Sequence, residues 1–142
     1  MSRTFLSPSR CELGTLMSPL RRALEGVDPA VVRDLSLDGV VEIRGDLDVV
    51  VSDDLVRLSP RRGFLFTDDD PADVVERVRA AGALAYDATG ALAGMAIASE
   101  QVMRRLTDLD LDQIPTAGAF AHVTAIFRRG ADGWFEVYVQ QE

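Results

Sequence analysis

His122-Val-Thr-Ala-Ile-Phe-Arg-Arg-Gly-Ala-Asp-Gly-Trp-Phe-Glu-Val-Tyr-Val139 decides the fold class. Val123, Ala125 and Phe127 alternate with His122, Thr124 and Ile126. After a turn from Gly130 to Gly133, Phe135, Val137 and Val139 alternate with Trp134, Glu136 and Tyr138. A period of two on both sides of a glycine-bracketed turn predicts an antiparallel hairpin. If Phe135, Val137 and Val139 face the core, Trp134, Glu136 and Tyr138 form an outward strip suited to docking a partner. If the hairpin is covered on both sides, the same residues are core.

Upstream, Asp70-Pro71-Ala72-Asp73 predicts a helix start, with Asp70 as cap, Pro71 at the first helical position and Asp73 near the positive dipole end. The helix runs to Ala81, with Val74, Val75 and Val78 on one face and Asp73 able to pair with Arg77. Gly82 is suited to stop it. Ser99 caps a second helix through Val102, Met103 and Leu106. Strand patterns cover Val40 to Arg44, the valine-rich Asp46 to Ser52, Leu55 to Leu58, Phe64 to Phe66, Leu84 to Tyr86 and Leu92 to Ile97. Leu16 to Glu25 reads as a further helix, and Met1 to Gly14 as an extended arm. The expectation is an α+β domain over 15–142, a small antiparallel or mixed sheet with helices on one face. Asp34-Leu35-Ser36 and Asp87-Ala88-Thr89 each introduce an apolar strand, a hint of duplication.

The 142 residues suit one compact domain, and no apolar run approaches the ~20 residues that span a bilayer. No secretory signal is visible, so a cytoplasmic location is expected. A net charge of −8 repels phosphate backbones and argues against nucleic acid as a partner. All 15 basic residues are arginine, so Schiff-base and phosphate-loop lysine chemistry is excluded. Cys11 has no second cysteine to pair with.

Candidate sites are few. Asp68-Asp69-Asp70 has the composition of a hard-cation site, but the helix start accounts for it more simply. Asp108, Asp110 and Asp112 match the opening spacing of a calcium loop, yet Gln113 stands where glycine is needed and Ala119 where the bidentate glutamate is needed. An extended segment with Leu109 and Leu111 inward covers the same facts. His122 is the only histidine, and no nucleophile or second ligand is nominated for it. The arginine pairs Arg61-Arg62, Arg104-Arg105 and Arg128-Arg129 suit carboxylate or phosphate contacts, and Arg104 and Arg105 are the pair placed on a helix.

Ala83 to Ile97, with Asp87-Ala-Thr89, then Val102 to Leu111, Ile114-Pro115, Gly118 and the final hairpin, resembles the gamma subunit of heterotetrameric sarcosine oxidase. More broadly it is similar to the folate-binding domain of the aminomethyltransferases, in trimmed form. Ala98-Ser99-Glu100 stands where that family has a Gly-Pro turn, and no catalytic residue of the family maps onto this chain. The resemblance implies a noncatalytic accessory subunit of a heteromeric amine oxidoreductase, with flavin-containing protein partners and no cofactor bound by this chain alone. Two alternatives remain: a stand-alone folate or small-ligand binder, and a homo-oligomeric interaction protein without ligand.

Overall fold

The structure, a computed structural model, describes residues 18–141. The expected arm over 1–14 and Cys11 therefore lie outside the described residues. Nine strands are described: β1 (Val32–Asp34), β2 (Val40–Arg44), β3 (Leu55–Ser59), β4 (Arg62–Phe66), β5 (Leu84–Asp87), β6 (Leu92–Ile97), β7 (Thr116–Phe120), β8 (Val123–Arg129) and β9 (Phe135–Gln140). Among the described residues two α-helices accompany them, α1 (Pro71–Ala80) and α2 (Glu100–Leu106). The strands divide between two sheets, one ordered β1-β6-β9-β8-β7 and the other β3-β4-β2-β5, and every pairing is antiparallel.

Three apolar clusters hold these layers together. Val74, Val75 and Val78 of α1 pack on Val41, Ile43 and Ala85, the outer face of the four-stranded sheet. Met103 of α2 packs with Ile97, Phe127, Phe135 and Val137 on the outer face of the five-stranded sheet. Val40, Phe64, Phe66, Leu92, Ile126 and Tyr138 fill the space between the sheets. Each sheet thus buries one face on a helix and part of the other on its neighbour, as layered domains require.

The helix signals act as expected. The Asp70 carboxylate accepts from the Ala72 N–H at 3.0 Å, Ser99 accepts from Val102 at 3.3 Å, and Gly82 follows α1 with φ +107°. Arg77, however, pairs with Asp69 at 3.2 Å and not with Asp73, because its side chain turns back past the helix start.

The two Asp-x-Ser/Thr segments are structurally equivalent. Asp34 accepts from the Ser36 N–H at 2.9 Å and Asp87 from the Thr89 N–H at 3.0 Å, giving two Asx turns. Leu35 N–H donates to Gly94 O while Gly94 N–H donates to Ser36 Oγ. Ala88 N–H donates to Val40 O while Val40 N–H donates to Thr89 Oγ1. Each turn carries the chain across to the other sheet, so β1 and β5 are exchanged between two similar halves.

Several expectations are corrected. Within Leu16 to Glu25, the described residues form hydrogen-bonded turns ending at Gly26, too short between Pro19 and Gly26 to propagate a helix. Asp46 to Ser52 is not a strand, since Asp46 caps the Asp48 N–H at 2.9 Å and winds Leu47–Val49 into a 3-10 turn. Asp110 does the same to Asp112 at 3.0 Å, so Leu111 is buried by a 3-10 turn and not by an extended segment. Each of these turns feeds a hairpin, β3-β4 or β7-β8. The strands β1 and β7 were not expected at all. Ala121 and His122 lie at positive φ (+49° and +71°), so His122 belongs to the two-residue turn before β8.

Candidate functional site

The seam between the sheets gathers a coupled set of polar side chains. β8 and β9 are paired so that Arg128 faces Glu136 and Ile126 faces Tyr138. Arg128 donates to Asp54 Oδ1 at 2.9 Å, across to the start of β3, and pairs with Glu136 Oε1 at 3.3 Å. Its guanidinium lies 4.5 Å from the Phe66 ring centroid. The Tyr138 hydroxyl donates to Glu136 Oε1 at 3.0 Å, and its ring sits 4.5 Å from that of Phe66. Gly94 on β6 makes room for this ring.

These contacts set the protonation of the group. Burial first, then the charge of Glu136 and the hydrogen bond to it, push the Tyr138 phenol far above its ordinary value, so it stays protonated. Asp38 is raised by desolvation first, then by Glu136 and Asp68, with Arg128 opposing. Among the described residues the one cation touching this cluster, Arg128, is shared between Asp54 and Glu136, and the Tyr138 hydroxyl donates to Glu136. The arrangement ties one sheet to the other.

The residues singled out in the sequence fall in different places. Tyr138 is buried (3% exposed), Glu136 is half-buried in its pair with Arg128, and Trp134 is half-buried under Arg33, whose guanidinium lies 4.0 Å from the indole and pairs with Asp132. The outward aromatic strip is thus replaced by a covered face, because the four-stranded sheet packs over Tyr138. Arg104 pairs with Glu100 one turn earlier at 3.1 Å, whereas Arg105 makes no hydrogen bond or ion pair among the described residues. Arg105 lines a cleft of about 500 Å³ with Thr107, Asp108 and His122. Thr107 Oγ1 donates to Ala119 O at 2.6 Å, which closes the floor of that cleft.

Asp68 and Asp69 border a second cleft of about 490 Å³, between the 49–54 loop and α1. Asp70 serves the helix start. Asp38, Asp54 and the role of Arg128 escaped the sequence reading, since Arg128 and Asp54 are 74 residues apart and no local pattern joins them.

No protein-family model matches this chain, and a search of curated proteins finds no match. Eight solved chains match in structure. One is from the heterotetrameric sarcosine oxidase of Corynebacterium sp. U-96 in complex with pyrrole 2-carboxylate, with a TM-score of 0.71 and 12% sequence identity. The superposition covers 87% of this chain and 86% of that one, so the two are of similar length and agree over most of it. This chain has the α+β fold of a chain of heterotetrameric sarcosine oxidase.

Proposed function

We propose that this protein is a noncatalytic accessory subunit of a heteromeric, cytoplasmic amine oxidoreductase of the sarcosine oxidase kind, in which flavin-containing subunits carry the chemistry. The observation that carries this reading is the shared fold over 87% of one chain and 86% of the other, which matches a whole small subunit and not a fragment of a large one. Among the described residues no helix is long and apolar enough to cross a membrane.

The test is co-purification. The chain, tagged at its chromosomal locus and isolated under native conditions, is expected to elute with yellow flavin absorbance and with larger subunits in fixed ratio. Elution alone, with no flavoprotein at any salt concentration, would exclude the subunit role.

A further inference from the structure

The four-stranded sheet is only partly covered by its neighbour. Cross-strand register places Tyr86, Glu42 and Phe64 in one row and Leu84, Arg44 and Arg62 in the next, on the face opposite α1. The preceding row, Val40 and Phe66, is buried against Tyr138. In the next row Phe64 on β4 is still buried between the sheets, but at the β5 end Leu84 is 57% and Tyr86 46% exposed among the described residues. Two large apolar side chains side by side on one strand are an uncovered sheet face, unlike the scattered exposed valines elsewhere.

The charge of this face is opposite to that of the molecule. Glu42 is held by Arg62 at 2.7 Å and Arg44 at 2.8 Å. Arg79 reaches over from α1, with its guanidinium 5.9 Å from the Tyr86 ring centroid. Two guanidinium groups thus hold the Glu42 carboxylate and a third lies over Tyr86, a local excess of positive charge on a chain of net charge −8. Tyrosine and arginine around an apolar centre are the composition of an interface hot spot.

Arg79 also fixes how a partner would engage. Its Nε and Nη2 donate to Ala85 O at 3.1 and 2.8 Å, on β5, which pairs only with β2 and is the edge of its sheet. That carbonyl is therefore occupied, which disfavours addition of a strand and leaves the face itself as the contact.

We propose that the uncovered end of the four-stranded sheet, Leu84 and Tyr86 set among Arg44, Arg62 and Arg79, is the surface that docks an acidic, apolar-centred face of a partner protein subunit. The assignment rests on the subunit reading above and adds the place of contact. Charge complementarity selects the partner: the cationic face attracts a carboxylate-bearing surface, while the acidic remainder of the chain repels other approaches.

The experiment compares three full-length tagged chains in the native source: wild type, Leu84→Asp/Tyr86→Ser, and Val51→Asp as a control at a 96% exposed position outside the patch. Wild type and the control are expected to retain the flavoprotein. The double variant is expected to weaken its capture by about thirtyfold, the effect of losing one hot spot, while melting within a few degrees of wild type. Should the double variant fold poorly, hydrogen exchange on the wild-type complex decides: amides of 84–87 and 40–44 slow on assembly. Full retention of the flavoprotein by a folded double variant, or unchanged exchange at these amides in the complex, would overturn the assignment and leave the subunit reading standing. A wild-type chain that captures no flavoprotein would overturn both.

Discussion

Gly94→Ala probes the packing between the sheets at its tightest point. A Cβ built on Gly94 lies 2.5 Å from both Cδ1 and Cε1 of Tyr138, well inside contact distance. The ring has little freedom to retreat, because Phe66 packs against it at a tilt with centroids 4.5 Å apart and Glu136 holds its hydroxyl at 3.0 Å. Overpacking a filled core costs about 1–3 kcal/mol. Displacing the ring sacrifices about 1 kcal/mol of hydrogen bond and about 1 kcal/mol of aromatic pairing. A loss of about 3 kcal/mol follows, which for a domain of this size lowers the melting temperature by roughly 10 °C. Urea titration followed by fluorescence measures it. The cause is isolated by Tyr138→Leu, which removes the clashing ring: combined with Gly94→Ala it should cost about 1–2 kcal/mol less than the two changes summed. A Gly94→Ala protein within about 0.5 kcal/mol of wild type would show that Tyr138 does not fill the seam as described.

Three further outcomes follow from named contacts. Ala121→Gly relieves a left-handed residue in the β7-β8 turn and should raise stability by about 1 kcal/mol in thermal or urea melts; no gain would mean that the turn carries no strain. Asp38, whose carboxyl is raised by desolvation and by Glu136 and Asp68, contributes least when ionised. Its contribution is present below the usual carboxylate range and lost as pH rises through its folded value, so Asp38→Asn should stabilise at neutral pH, with the gain fading on acidification. Glu42 behaves oppositely: desolvation raises its carboxyl, but hydrogen bonds and charge from Arg62 and Arg44 outweigh this and hold it below the ordinary value. Its contribution exists above the ordinary glutamate range and disappears as pH falls through the lowered value, so Glu42→Gln should cost about 1 kcal/mol at neutral pH and little in acid.

Local signals in the sequence were legible where one residue controls one backbone bond. Asp70, Pro71 and Gly82 bracket α1, and Ser99 opens α2, because capping depends only on near neighbours. The paired Asp-x-Ser/Thr turns were visible as a repeated pattern, though their exchange of β1 and β5 between sheets was not, since that depends on partners such as Gly94 and Val40 far along the chain. Asp46 to Ser52 misled through its valines: the cap made by Asp46 overrides strand propensity there. Thr116–Phe120 was missed because alanine and glycine fill its middle, and its pairing with β8 defines it. The hairpin over β8 and β9 was read correctly, but which of its faces is covered follows from the second sheet, so the strip through Tyr138 became core and the open surface moved to Leu84 and Tyr86. Both the seam and the open patch are built from long-range register, which periodicity within one strand does not encode.

Native mass spectrometry of the chain isolated from its own source, with the flavin content of the same sample, tests the central claim most directly. The account predicts a heteromeric assembly containing one or more larger subunits in fixed stoichiometry, with flavin present and assigned to subunits other than this one. A monomer or a homo-oligomer as the sole species, free of flavin, would contradict it.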